Sequence, residues 1–169
     1  NDRLDFNVYY AGGVVERTST FDNKSKVQKY LEDKKLDHDD TAPFPFGSSI
    51  LVGLIFVPLS LISHSTAIAL FFGASIAIFN TGLSRLAPKT WFIWCAGFVI
   101  SSASIKAFGL GNWAFITSGL VFHSIADIKK GNWNRAAVWL AIASAFKIYP
   151  AFLFITFLVK KQYRAIAYA

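Results

Sequence analysis

The chain has 169 residues, 54% of them hydrophobic and 16% charged, with a formal net charge of +7 from 17 Lys and Arg against 10 Asp and Glu. A soluble domain carries about 25% charged residues, so this composition excludes a chain that covers its core with water-facing side chains. It points to an all-α, polytopic membrane protein whose basic excess sets topology and does not serve nucleic acid.

In chain order, residues 1–45 read as a polar loop with short helices. Asp5, Tyr9, Tyr10, Gly12 and Gly13 come first, then a Lys/Asp/Glu-rich stretch from Asp22 to Asp40 with one helix expected near Lys24 to Lys35. Pro43 and Pro45 resist helix and mark the boundary. Residues 46–169 form the expected transmembrane region, with six apolar runs: Phe46 to Ser63, Ser65 to Leu83, Thr90 to Ile105, Trp113 to Ile128, Trp133 to Phe146 and Ile148 to Val159.

A spanning helix takes about 20 residues, so the second run is comfortable and the next three are adequate. The last is short unless Tyr163 to Tyr168 continues it. Gly47, Gly53 and Pro58 weaken the first as a straight helix, which favours an in-plane or re-entrant path and leaves about five spanning helices. With no methionine in the chain and Ala169 inside an expected helix, the sequence reads as a piece of a longer protein. Its single cysteine, Cys95, lies in an apolar run and reads as a small hydrophobe.

The loops give an orientation. Arg85 and Lys89, then Lys129, Lys130 and Arg135, then Lys160, Lys161 and Arg164 are separated by pairs of runs, so all three groups fall on one face. The positive-inside rule makes that face cytoplasmic. The other face collects Ser63-His64-Ser65, the Lys106 to Asn112 connection and the Lys147 to Pro150 break.

Lys147 is the first candidate for chemistry, because an intramembrane or membrane-edge cation is expensive, up to about 2.5 to 3.5 kcal/mol at the helix centre, and is kept mostly for function. At a helix end broken by Pro150 it suits either an anionic headgroup or simple snorkelling. Lys106 adds a second positive charge on that face, and Asn112 suits a helix N-cap or a ligand contact beside Gly111. Asp5 suits a general base accepting a hydroxyl proton, or a solvated loop residue. His64 reads as a turn residue, and His38, His64 and His123 lack zinc-ligand spacing. These features alone suit a small-solute transporter or permease, a lipid-handling enzyme or a non-catalytic lipid-binding membrane subunit.

The order of features nevertheless resembles a family. An Asp-x-x-x-Tyr-Tyr segment, a Pro-rich lead into an apolar run with Pro58-Leu59, Gly111-Asn112 after a helix end, Ala145-Phe146-Lys147-Ile148-Tyr149-Pro150, and Lys160-Lys161-Gln162-Tyr163-Arg164-Ala165 look like the polytopic GT-C glycosyltransferases. Within these they are most similar to family 87, which includes polyprenyl-phosphate-mannose-dependent mannosyltransferases. The likeness runs through nearly the whole chain and covers roughly the first half of such an enzyme, without its first membrane helix.

The resemblance implies a multi-pass enzyme of the cell membrane. It would move mannose or a similar sugar, with inversion, from a polyprenyl-phosphate carrier to a glycan or glycolipid hydroxyl on the extracytoplasmic side. It makes the 1–45 loop extracytoplasmic, Asp5 the base and Lys147, with Lys106, the partner of the donor phosphate. Tyr9, Tyr10, His64, Asn112 and Tyr149 become substrate-binding candidates. No cofactor is required, although some GT-C relatives use a divalent cation and Asp2 and Asp5 are the carboxylates that would carry one. Many relatives have Gly-Gln-x-Asn where this chain has Gly111-Asn112.

Overall fold

In the computed structural model, residues 4–18, 24–35, 56–101 and 113–169 are described. Among them every element is helical and no strand occurs. The order is α1 (Leu4–Thr18), α2 (Lys24–Asp33), α3 (His64–Leu86), α4 (Trp91–Ile100), α5 (Ala114–Lys129), α6 (Trp133–Phe146), a 3-10 helix (Tyr149–Leu153), α7 (Phe154–Val159) and α8 (Tyr163–Tyr168). The expected domain boundary at residue 45, most of the first apolar run, and both Lys106 and Asn112 lie outside the described residues. The chain divides into two compact units, Asn1–Phe72 with Lys106–Asn112 and Gly73–Ile105 with Trp113–Ala169.

In the first unit, the segment carrying Asp5, Tyr9 and Tyr10 is a 15-residue helix within the region expected to hold short helices in a polar loop. Its apolar residues explain this, because Phe6, Tyr10 and Gly13 recur at helical spacing along one stripe and Val8 and Ala11 along another. The first stripe meets aromatics. Phe6 is fully buried, with ring centroids 5.5 Å from Phe56 and 5.4 Å from Phe71. The second stripe packs Ala11 against Val27 and Leu31 of α2, with Val8 and Tyr30 at the edge. Glycine inside a helix costs about 1 kcal/mol relative to alanine. At Gly13 a Cβ would collide with the Phe56 backbone, so the missing side chain lets the helical turn at 56–59 press against α1.

The second unit is built on longer apolar helices. α3, which starts in the first unit and continues into the second, has 23 residues and is the one described helix long and apolar enough to cross a membrane. At 1.5 Å per residue it measures roughly 35 Å, against a hydrocarbon core of about 30 Å. α5 and α6 are 16 and 14 residues, joined by the Lys130–Asn132 turn. At their far ends Trp113 stacks on Phe146 with centroids 4.4 Å apart, so the pair runs antiparallel.

Small residues let α3 touch α5. A Cβ on Gly82 would strike the Gly119 carbonyl oxygen, and one on Gly119 would lie 2.6 Å from that of Ile78. Such backbone approach is how helices associate where no water drives them together. Phe79 then meets the rings of Phe98, Phe115 and Phe122 among α3, α4 and α5.

The last run is not one helix. Pro150 has no N–H to give and its ring opposes the carbonyl four residues back, so α6 stops before it and a 3-10 turn follows. Lys161, at φ 56, then turns the chain, so Tyr163–Tyr168 forms a separate helix and does not extend the run. Phe157 and Ala165 bury against Ala136, Ala137 and Leu140 of α6.

Candidate functional site

The end of α6 places Lys147. Its backbone N–H makes the last helical hydrogen bond, to Ala143 O at 3.1 Å, and its own backbone is extended at φ −145, ψ 135. The lysine therefore leaves the helix at its broken end and is half-buried. The Trp113–Phe146 stack, in which Trp113 is buried, supports that end from within. Beyond it lies an apolar stripe open to the surroundings, with Ile148 81% and Phe152 70% exposed and Ile155 and Val159 continuing it. Tyr149 is half-exposed. A cation beside a tyrosine, at the head of an exposed apolar track, can meet a phosphate that carries a long hydrocarbon chain.

The opposite end of this unit is basic. Arg85 closes α3, Lys129 closes α5 and Arg135 opens α6, roughly 18 Å along that helix from Lys147. The cluster of Phe157 and Ala165 with Ala136 brings the segment bearing Lys160, Lys161 and Arg164 to this end as well. The three basic groups singled out in the sequence thus gather together, away from Lys147.

In the first unit, Tyr10 donates its hydroxyl to Ile62 O at 2.8 Å, and His64 Nε2 donates to Asn7 Oδ1 at 3.0 Å. The imidazole also meets the Phe6 and Tyr10 rings edge-on at 5.6 and 5.0 Å. Tyr9, half-buried, lies 5.6 Å from the Phe56 ring. His64 is thus the first residue of α3 and a junction to α1, a partnership that its place in a short polar turn does not announce. Asp5 is the second residue of α1. It belongs to the first unit and Lys147 to the second.

One constellation escaped the sequence reading. Asp127, fully buried, accepts from Arg85 Nη2 at 2.6 Å and Trp139 Nε1 at 3.0 Å, with Arg135 Nε at 3.7 Å. Arg85 Nη1 also donates to His123 Nδ1 at 2.7 Å. A guanidinium has only donors, so Nδ1 accepts and the ring proton sits on Nε2, which donates to Thr81 Oγ1 at 3.2 Å. Thr81 Oγ1 donates in turn to Ala77 O at 2.7 Å. The signal was available, since Asp127 is the lone acid after Asp40 and His123 stands four residues before it on the same helix face. Within the basic end this network joins α3, α5 and α6.

Among the described residues no three His, Cys, Asp or Glu side chains gather as a metal site. Comparison with curated proteins and with solved structures finds no match. The family model described as glycosyltransferase family 87 matches residues 49–169, from the first apolar run through the Lys147–Pro150 break to the basic Lys160–Arg164 cluster. On that match, over more than half of its length, the chain belongs to glycosyltransferase family 87 and is a membrane glycosyltransferase sequence with a sugar donor and an acceptor as its substrates.

Proposed function

We propose that this chain works in a multi-pass glycosyltransferase of the cell membrane. It moves mannose or a similar hexose from a polyprenyl-phosphate carrier to a glycan or glycolipid hydroxyl at the extracytoplasmic face. The observation that carries the reading is the setting of Lys147, a cation at a broken helix end that heads an exposed apolar stripe and lies away from the basic end of its unit. By the positive-inside rule the basic end is cytoplasmic, which puts Lys147 outside.

In the proposed reaction the acceptor hydroxyl oxygen attacks the anomeric carbon while Asp5 takes its proton. The bond from that carbon to the phosphate oxygen breaks on the opposite face, so configuration inverts. The electron pair leaves with the phosphate, whose charge Lys147 and Lys106 meet. Tyr9, Tyr10, His64, Asn112 and Tyr149 are the proposed contacts to sugar and acceptor. The balance closes without a cofactor; where a divalent cation is carried, Asp2 and Asp5 are its carboxylates, and no step is routed through it.

The test is transfer from radiolabelled polyprenyl-phosphate-mannose by the full protein in membranes, with Asp5→Asn and Lys147→Ala alongside. Transfer by wild type and its loss in both folded variants is the expected result. Undiminished transfer by Asp5→Asn overturns the base, and a wild type inert with several lipid-linked sugars but able to conduct solute overturns the donor class.

A further inference from the structure

A cleft of about 450 Å³ opens among α3, α4 and α5 within the second unit, at its basic end. Phe79, Leu83, Phe98, Phe122 and Ile125 are among its walls, and the one charged residue among the described residues that line it is Lys129. From Phe122 to Lys129 the cleft follows α5 for about two turns, roughly 10 Å. Its size falls within the range of small-molecule and lipid pockets, roughly 300 to 1,000 Å³.

Among the described residues the cation at its rim has no counter-charge. Asp127 is the lone acid after residue 40, and its carboxylate is taken by Arg85 and Arg135. Among the described residues Lys129 forms no ion pair, and it is exposed. Lys130 beside it and Lys89 in the turn between α3 and α4 are exposed too, so this end carries a positive field with an apolar slot behind it. A water-soluble anion would satisfy the field and leave the slot unused. A neutral lipid would fill the slot and leave the field unmet.

We infer that the cleft holds an acyl chain of an anionic glycerophospholipid whose phosphate is met by Lys129, on the membrane face opposite Lys147. This site is separate from the proposed donor site, and binding there stands or falls without any sugar transfer.

Native mass spectrometry of the full protein tests it, using phosphatidylglycerol and phosphatidylcholine of identical chains. A cation near a membrane surface favours an anionic lipid by a factor of about five. Wild type is expected to retain phosphatidylglycerol about fivefold better than phosphatidylcholine. Lys129→Gln should erase that preference, whereas Lys34→Gln, a charge-matched change in the first unit, should leave it intact. Ala87→Trp, which narrows the cleft wall from a turn and not from the packed core, should reduce retention of both lipids. Glycerol phosphate, the headgroup without chains, should displace neither. Equal retention of the two lipids by wild type, an unchanged preference in Lys129→Gln, or displacement by glycerol phosphate would each overturn the inference.

Discussion

Replacing Asp127 by alanine isolates the energetics of the basic end. Arg85 is 26% exposed and Asp127 not at all, so the carboxylate is the member that cannot recruit water. Its loss strands the guanidinium, held otherwise among the described residues only by His123 Nδ1, and leaves Trp139 Nε1 without its acceptor. Breaking a buried pair from one side costs about 3 to 5 kcal/mol, and the partial exposure of Arg85 argues for the lower limit, about 3 kcal/mol. At roughly 2 to 4 °C per kcal/mol for a chain of this size, the thermal midpoint in detergent should fall by about 6 to 12 °C. The double variant Arg85→Leu with Asp127→Leu removes both charges together and should recover most of that loss. A midpoint for Asp127→Ala that stays at the wild-type value would refute the reasoning. So would a double variant as unstable as the sum of the single changes.

Gly119→Val should force α3 and α5 apart, because its branched side chain starts 2.6 Å from the Ile78 carbonyl oxygen; cysteine cross-linking between the two helices should lose efficiency while helix content by circular dichroism stays constant. Phe56→Ala empties a fully buried aromatic site and should cost about 3 to 5 kcal/mol in the first unit, read as faster proteolysis within α1. His64→Ala removes the bond to Asn7 and two edge-on ring contacts, worth about 1 to 2 kcal/mol together, and hydrogen exchange in α1 should rise accordingly. Lys147→Arg should keep a measurable share of transfer and Lys147→Ala should lose at least about tenfold, since a charge-assisted hydrogen bond contributes about 1.5 to 3 kcal/mol; equal rates in the two variants would remove Lys147 from the donor site.

Much of this architecture was legible in the residues. The second, fourth and fifth apolar runs became α3, α5 and α6 with their ends near the expected turns, because a long run of hydrophobic side chains has few alternatives to helix. The break at Lys147 followed from a proline's missing N–H. What polarity concealed was the extent and packing of α1: short helices in a polar loop were expected, whereas Phe6, Tyr10 and Ala11 fit two packing partners along a 15-residue helix. Asp127 was visible as the lone acid of the apolar region, yet its partners come from Arg85 on another helix and Trp139 on a third, a meeting that no spacing along one chain encodes. Arg85 and Arg135 carried topological information in the sequence and turned out also to hold the helices together.

Stopping α6 at Lys147 has a consequence for turnover. The carboxyl end of a helix carries about half a negative charge on its last carbonyls, and Pro150 prevents the following turn from absorbing them as a continuous helix would. In the proposed reaction the ammonium of Lys147 is therefore shared between two anions, a fixed one in the backbone and a visiting one on the carrier. With the sugar gone, the same carbonyls compete for the lysine against the spent carrier phosphate. A grip that is tempered in this way favours release, which a carrier that must leave after each transfer requires.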